Sequence, residues 1–350
     1  MADLNKRPIT LRQIAKELSV SLSTVSLALR DNPKISLTRR IEVKRMAKEL
    51  GYHPDPLLRQ LGSYSKISKG TPIRSTIAWI DDEGEEESFS EQSEINKYFE
   101  GAKSMGEDLG FRLERFNRKE LGVTRKRLCR ILSSRGIRGV IIPPHSILHE
   151  VADETWGEFA IIRIGFNKTT SKRHIVCPDQ FEGGRLAAIN MLAAGYETLG
   201  YVGLRSEEER SRYHYFSGFV TSRDLLVPST SSIPPLFFDS ENLVEGKEVY
   251  RKWLHDHKID AVLVAHFHKL SEWTCELAPE IGRGIGLAGT NVYAPGFNSG
   301  LDQRSFEVGE AAMQLLARLI DYHEFGIPKA PQRLLISPTW VNGKSMIGAK

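Results

Sequence analysis

The sequence has few cysteines and no long hydrophobic run. Its three cysteines, Cys129, Cys177 and Cys275, are scattered and odd in number, which argues against a disulfide framework or a Cys-x-x-Cys metal site. No stretch of 18 apolar residues occurs, and no apolar segment follows the basic N-terminus. We therefore expect a protein of a reducing cytoplasm, with neither a membrane span nor a signal peptide.

The motifs of common enzyme classes are also missing. There is no Gly-x-Ser-x-Gly elbow and no Walker loop, and Gly282-x-Gly284-x-Gly286 precedes a strand instead of joining a strand to a helix. The histidine pairs His255/His257 and His266/His268 have no carboxylate or cysteine ligands at the spacing of a metal motif. We predict that the chain is not an enzyme and holds neither a metal nor a cofactor.

Residues 10–51 carry the pattern of three short helices. Thr10, Ser21 and Ser36 are good N-caps, and Gly51 is a natural C-cap. A short turn at residues 19–21 joins the first two segments, so the stretch predicts a helix-turn-helix whose second helix enters the DNA major groove. Apolar residues recur at helical spacing in each segment: Leu11, Ile14, Ala15 and Leu18; Val25, Ala28 and Leu29; and Ile41, Val43, Met46, Ala47 and Leu50.

The positive charge of the chain is concentrated in this region. Residues 1–70 contain 14 Lys or Arg and 6 Asp or Glu, a formal charge of +8, whereas the whole chain carries +4 and the remainder therefore −4. A basic head on a mildly acidic body is expected when only the head meets phosphates.

Residues 55–62 predict a short hinge helix. Asp55 is an N-cap, Pro56 occupies the first helical position and Gly62 ends the segment. A helix of under two turns is unstable alone in water, so we expect it to form only beside its twin, in a dimer on DNA. The alternative is a plain linker, since residues 62–72 are rich in Ser, Lys and Gly.

From residue 75 onward, apolar strands alternate with amphipathic helices in two successive series. This order predicts an α/β body of two doubly wound halves with a ligand cleft between them, which is the periplasmic-binding-protein-like architecture. An acidic run at residues 81–87 follows the first strand; a solvated loop is one interpretation, and a border of the cleft that favours a cationic effector is the other.

The sequence resembles the LacI-type (lactose and galactose repressor) family of transcription regulators over essentially its whole length. The run TLRQIAKELSVSLSTVSLAL at residues 10–29, followed by Leu50-Gly51-Tyr52 and Pro54, is similar to the family signature. In the body, Asp179 to Gly184 and Leu301 to Gly309 resemble the family's first and second crossovers.

The resemblance implies roles for residues of the head and hinge. Leu22, Ser23 and Leu27 would read bases, with Leu27 packing on a thymine methyl, although ordinary core packing is the alternative for this residue. Thr24, Ser26 and Ser36 would bond phosphates, and Leu61 would wedge open a base step in the minor groove. The predicted DNA-binding residues are Thr10, Ser21, Leu22, Ser23, Thr24, Ser26, Leu27, Ser36, Arg59 and Leu61.

The predicted cleft differs at three places from the clefts of the sugar-binding members of the family that the sequence resembles. Tyr215 stands where they carry an Arg, His266-Phe267 where they carry Asn-Asp, and Asn291 where they carry an Asp. Without the Arg fork and the carboxylate, a sugar, a nucleobase, an aromatic metabolite or no ligand all stay open. The predicted effector-binding residues are Arg163, Asn167, Tyr215, His266, Phe267, Asn291 and Gln303.

Together these patterns predict an all-α helix-turn-helix head at residues 1–54, a hinge helix and linker at 55–74, and an α/β body at 75–350. The N-subdomain would comprise about 75–176 plus 304–336, and the C-subdomain about 177–303 plus 337–350. We expect a cytoplasmic, nucleoid-associated bacterial repressor that binds a palindromic double-stranded DNA operator as a homodimer and responds to a small-molecule effector. The alternative is a solute-binding or enzymatic α/β protein with an incidental helical head.

Overall fold

The computed structural model describes residues 9–29, 35–52, 75–81, 93–117, 121–144, 156–167, 172–228, 233–239, 245–281 and 284–346. The chain has two compact units, Met1–Arg74 with Arg318–Glu324 and Ser75–Ala317 with Phe325–Lys350. The first contains an all-α head and the second an α/β body, each with its own hydrophobic core. This confirms the predicted all-α head and α/β body, whereas the predicted hinge helix at residues 55–62 lies outside the described residues.

The head contains helices α1 (Leu11–Glu17), α2 (Leu22–Leu29) and α3 (Leu37–Glu49). Polar side chains begin all three, because the first N–H groups of a helix have no partner within it. The side chain of Gln13 accepts the N–H of Thr10 at 2.7 Å, and Ser21 Oγ accepts the N–H of Thr24 at 3.0 Å. Ser36 Oγ accepts the N–H of Arg39 at 3.4 Å, and Gly51 follows α3 with a φ of +70°.

The core of the head corrects one sequence expectation. Its fully or nearly buried members are Ile14, Ala15, Val25, Ala28, Val43 and Ala47. Ile41 was expected among them but is 60% exposed. It lies four residues after Leu37, which is also exposed, so the two share one helix face turned away from Val43 and Ala47.

The first sheet of the body has the spatial order β11-β5-β4-β3-β1-β2, and the pairings between these strands are parallel. Its strands are β1 (Ser75–Asp81), β2 (Phe111–Asn117), β3 (Gly139–Ile142), β4 (Ala160–Ile164), β5 (His174–Pro178) and β11 (Arg333–Ile336). Parallel pairing requires a crossover between successive strands, and helices supply it between β1 and β2 and between β2 and β3.

The second sheet has the order β12-β10-β9-β8-β6-β7 and is parallel except for β12, which runs antiparallel to β10. Its strands are β6 (Leu199–Leu204), β7 (Leu236–Phe238), β8 (Ala261–Ala265), β9 (Gly286–Gly289), β10 (Gly300–Asp302) and β12 (Thr339–Val341). Both faces are covered: in β8, Val262 and Val264 belong to one core cluster, whereas the alternate residues Ala261, Leu263 and Ala265 belong to another.

Helices of the body connect these strands. They are α4 (Glu94–Asp108), α5 (Arg125–Ser134), α6 (Gln180–Ala193), α7 (Arg205–Ser211), α8 (His214–Leu226), α9 (Gly246–Asp256), α10 (Lys269–Ile281) and α11 (Ser305–Asp321). The strands up to Pro178 form the first sheet, and those from Leu199 to Asp302 form the second. Strand β11 then joins the first sheet, and β12 joins the second. The subdomain limits stated above stay predictions.

Helices α6 and α8 approach each other more closely than side chains would allow. A Cβ on Gly184 would lie 2.1 Å from the carbonyl oxygen of Tyr215, and a Cβ on Gly218 would lie 2.0 Å from that of Phe181. Glycine at both positions therefore lets the two backbones touch. This contact positions Tyr215 beside the region where the two sheets meet.

Candidate DNA-binding head and effector cavity

Helix α2 presents a distinct outer face. Val25 and Ala28 point into the core of the head, whereas Leu22 is 45% exposed and Ser23 is also exposed. Leu27 is partly exposed and is not a member of the core cluster. Ordinary core packing is therefore not the role of Leu27, and its contact with a thymine methyl stays a prediction.

Hydroxyl groups gather at the start of α2. Ser21 Oγ lies 2.7 Å from Ser23 Oγ and 2.8 Å from Thr24 Oγ1, in addition to accepting the N–H of Thr24. Hydroxyls and backbone N–H groups at a helix start are suited to binding phosphate oxygens. Of the other predicted DNA-binding residues, Thr10 begins α1, Ser36 begins α3 and Ser26 is partly exposed on α2, while Arg59 and Leu61 fall outside the described residues.

The body contains a cavity of about 500 Å³ between its two sheets. Pro144, Gly165 and Pro178 line it from the carboxyl ends of β3, β4 and β5. On the other side, His266 and Thr290 directly follow β8 and β9. Open α/β sheets bind ligands beyond the carboxyl ends of their strands, so this cavity is the candidate effector site.

Three predicted effector residues line this cavity: His266, Asn291 and Gln303. Gln303 Nε2 donates to the carbonyl oxygen of Thr290 at 2.8 Å, and Asn291 Oδ1 accepts the N–H of Tyr293 at 3.0 Å. These bonds orient both amide side chains before any ligand arrives. Orientation in advance lowers the entropy lost on binding.

Three other predicted effector residues, Arg163, Asn167 and Tyr215, are buried and do not line the cavity. Within the described part of the chain, Nε and Nη1 of Arg163, both side-chain polar atoms of Asn167 and the hydroxyl of Tyr215 have no hydrogen-bond partner. Burial, followed by the charge of Arg210, lowers the pKa of Arg163 to about 10. Burial also raises the pKa of Tyr215 well above its usual value.

Phe267 was predicted to bind the effector, but it does not line the cavity. Its ring packs in the hydrophobic core, 5.1 Å from the ring of Phe238 and 5.3 Å from that of Trp273, measured between centroids. The residue is nearly buried and is not among the cavity-lining side chains. An apolar ring at this place gains more from the core than from the cavity wall.

Several lining residues were not anticipated, and they carry the charge of the cavity: Glu94, Glu207 and Arg210. Arg210 forms an ion pair with Glu207 through Nε at 2.9 Å and through Nη2. Burial raises the pKa of Glu94 to about 7. The available signal was positional, since Glu94 opens a helix that follows the first strand, and ligand sites lie where strands end and helices begin.

Aromatic contacts connect the two halves of the body around the cavity. Lys97 Nζ of α4 lies 3.4 Å from the centroid of the Tyr293 ring, which follows β9. Phe166, after β4, meets His214 of α8 edge to face with centroids 4.6 Å apart. The cavity is thus spanned by contacts between elements of the first and second sheets.

Among the residues that the structure describes, no three His, Cys, Asp or Glu side chains gather in a way that could hold a metal ion. Likewise, no helix in the described ranges is long and apolar enough to cross a membrane.

The chain thus has a helix-turn-helix head followed by a two-sheet α/β body with a cavity between its sheets. Residues 10–55 match the family model described as bacterial regulatory proteins, lacI family. No curated protein sequence matches the chain.

Solved structures extend the likeness to the body. The transcriptional regulator CelR in complex with cellobiose is 19% identical, with a TM-score of 0.57, over 96% of this chain and 99% of CelR. The lac repressor dimer bound to operator and an anti-inducer is 17% identical, with a TM-score of 0.54, over 98% of this chain and 100% of the repressor. A LacI family regulator from Enterococcus faecium with bound ribose is 17% identical, with a TM-score of 0.54, over 79% of this chain and 100% of that regulator.

At these identities the solved structures show a common fold, while the match at residues 10–55 shows the family of the head. The head therefore matches the lacI family, as the sequence resemblance predicted, and the body has the fold of these solved regulators.

Proposed function

We propose that this protein is a transcriptional repressor that binds a palindromic operator as a homodimer and changes its affinity when a small molecule occupies the cavity. The observation that carries the proposal is the outer face of α2, where Leu22 and Ser23 are exposed on a head that matches the lacI family. The body serves as a sensor instead of an enzyme. Binding to the operator would keep the protein in the bacterial cytoplasm at the nucleoid.

In this proposal the recognition helix reads bases and the hydroxyl groups hold phosphates. Leu22, Ser23 and Leu27 face the major groove, where apolar side chains distinguish thymine by its methyl group. Ser21, Thr24 and Ser26 on the same helix bond the backbone, with Thr10 and Ser36 at the starts of the neighbouring helices. The charge of +8 in residues 1–70 supports the sequence-independent part of binding.

The hinge supplies the link between the two functions. In a dimer, two copies of residues 55–62 pair at the operator centre, Arg59 contacts the backbone, and Leu61 wedges a base step open. Unstacking a step costs a few kcal/mol and is offset by the contacts that bent DNA makes. Because such a short helix is stable only when paired, a shift between the two bodies would withdraw the wedge.

We place the binding site of the effector in the cavity between the sheets. CelR is solved with cellobiose and the Enterococcus faecium regulator with ribose, so proteins of this fold hold small molecules. In this chain, His266, Asn291 and Gln303 would contact the ligand directly. We place the N-subdomain at about 75–176 plus 304–336 and the C-subdomain at about 177–303 plus 337–350, so that ligand binding changes their relative position.

The test is selection of bound sequences from random duplex DNA by the purified protein, with and without a pool of small metabolites. We expect a palindrome with a flexible central step, and enrichment that changes with the metabolites. Leu22→Ala should change the preferred bases without changing the salt dependence of binding, because Leu22 contacts bases and carries no charge. Ile41→Ala is the matched control, because Ile41 is also an exposed apolar residue, on α3, and this variant should leave the selected motif intact.

Absence of any enriched motif would contradict the function and direct attention to the body as an independent binding module. An unchanged motif in Leu22→Ala would contradict the assigned face of α2. Repression is tested with a reporter under the selected operator, which should gain expression when the gene is deleted; a loss would show an activator.

A further inference from the structure

We propose that the effector carries a protonated amino group, which binds in the cavity through the carboxylate of Glu94. This inference rests on the proposed function, because it names the chemistry of the molecule that occupies the effector site. It follows from the charges, the hydrogen bonds and the unpartnered polar atoms that the cavity presents.

Among the described residues, Glu94 has no ion-pair partner, although Lys97 and Arg210 are close enough to counter part of the pKa rise that burial causes. It is the first residue of α4, lines the cavity and is partly buried. Its hydrogen bond within the described residues comes from Ser305 Oγ at the long distance of 3.4 Å. No described Lys, Arg or His nitrogen lies within ion-pair distance of it. Carboxylates removed from water without such a partner are unfavourable, so a bound cation would be strongly stabilised there.

The other charges that line the cavity neutralise each other. Glu207 and Arg210 form an ion pair with two contacts between them. Lys97 is not among the described lining residues; its ammonium nitrogen lies 3.4 Å from the centroid of the Tyr293 ring, and its charge only partly offsets the rise that burial causes in the pKa of Glu94. Within the described lining, Glu94 therefore leaves the cavity one negative charge in excess when it is ionised.

Further acceptors and aromatic rings complete the site. Gln180 Oε1, on the first residue of α6, is buried without a partner among the described residues, and Gln180 lines the same cavity. An ammonium group has three donors and no acceptor, so it can serve a carboxylate and an amide oxygen together. Tyr98, Tyr293 and Phe297 also line the cavity, and the faces of aromatic rings attract cations.

The protonation of Glu94 predicts how ligand affinity depends on pH. Burial raises the pKa of Glu94 to about 7, so near neutral pH the group is mixed between its two forms. A cationic ligand prefers the ionised form, and its affinity should rise as pH increases through about 7. A neutral ligand that accepts a hydrogen bond from the protonated form should show the opposite trend. The charged and titratable groups around Glu94 are Lys97, Tyr98, Arg210, Tyr215 and Asp302.

The experiment measures binding to the full-length protein by isothermal titration calorimetry with three matched pairs of probes. The pairs are putrescine with its diol analogue, tyramine with propylphenol, and glucamine with sorbitol, which differ mainly in the amino group. At about pH 8, we expect the amine of at least one pair to bind about tenfold or more tightly than its neutral partner. At about pH 6 that preference should shrink.

Glu94→Gln keeps the shape of the side chain and removes its charge, so it should reduce the preference to less than about threefold. Glu100→Gln is the matched control, because Glu100 is an exposed residue of the same helix that pairs with Lys103 at 3.7 Å. The control should retain the full preference. Circular dichroism of both variants should match that of the original protein, which separates loss of binding from loss of folding.

Equal or weaker binding of every amine, absence of binding by all six probes, or an unchanged preference in Glu94→Gln would overturn the inference. Selection of duplex DNA, run without probes, separates this failure from failure of the proposed function. A selected palindrome without an amine preference rejects the inference and leaves the regulator intact. An amine preference without a selected palindrome rejects the proposed regulator function and supports amine binding in the cavity.

Discussion

Replacing Gly218 by alanine should destabilise the body by separating α8 from α6. The added Cβ would lie 2.0 Å from the carbonyl oxygen of Phe181, whereas ordinary contact begins at 3.4 Å. The helices must therefore move apart by up to about 1.4 Å, since a backbone oxygen cannot rotate out of the way. Overpacking of this kind costs about 1–3 kcal/mol or more, and we expect a value at the upper end.

Three further variants test this prediction. Gly184→Ala creates the reciprocal clash, 2.1 Å from the carbonyl oxygen of Tyr215, and should cost about as much. The double variant should be less destabilised than the sum of the two, because helices already separated accommodate the second methyl more easily. Gly284→Ala is the control: nothing lies within 4 Å of its added Cβ, and it should change stability by less than about 1 kcal/mol.

Denaturant unfolding followed by tryptophan fluorescence is the suitable assay, because Trp253 and Trp273 lie in the core beside the second sheet. We expect the unfolding midpoint to fall for both clashing variants and to stay near the original for the control. If Gly218→Ala unfolded at the same midpoint as Gly284→Ala, the backbone contact between α6 and α8 would be refuted. The clashing variants should also bind the effector more weakly, because α8 carries Tyr215 beside the cavity.

Three further predictions concern the hinge, the recognition helix and a buried acid. Leu61→Ala should weaken binding to the selected operator while sparing salt-sensitive binding to random DNA in filter assays; equal losses in both would contradict the wedge. Ser21→Ala should lower the stability of the head by about 1 kcal/mol in thermal unfolding followed by circular dichroism, whereas Ser21→Asn, which can still cap α2, should not. Glu208 is fully buried and accepts the hydroxyl of Tyr201 at 2.6 Å, and burial raises its pKa from 4.5 to about 7. The folded state therefore binds the proton of Glu208 more tightly than the unfolded chain does. The stabilisation that this proton provides is complete below about pH 4.5 and is lost as pH rises to about 7. Glu208→Gln should make the free energy of unfolding less dependent on pH between about 4.5 and 7. An unchanged dependence would show that Glu208 is not the group that titrates in this range.

The head was predictable because its signals are local. Ser21 and Ser36 lie three residues before the N–H groups that they accept, and Val25 and Ala28 lie on the same side of one short helix. Such interactions depend on helical spacing alone. Ile41 marks the limit of this reasoning, since an apolar residue near a stripe carries no sign of which face the other helices cover.

The candidate effector cavity was predictable in position, but its lining residues were predictable only in part. The alternation of strands and helices implies a site at the carboxyl ends of the strands, and His266, Asn291 and Gln303 were found there. Phe267 directly follows His266 in sequence, yet it turns into the core. Neighbouring residues after a strand point in different directions, and only the packing around them decides which one reaches the cavity.

The amino-acid sequence by itself determined the helices of the head, their caps, the basic charge of residues 1–70 and the α/β order of the body. These properties arise from interactions between residues a few positions apart, or from composition. The tertiary structure alone decided that Glu94, Gln180 and Arg210 meet around one cavity. It also decided that Arg210 pairs with Glu207, while Glu94 has no ion-pair partner in the described part of the chain. Strand order brings these distant positions together, and the burial that follows sets their charge, so neither can be read from local spacing.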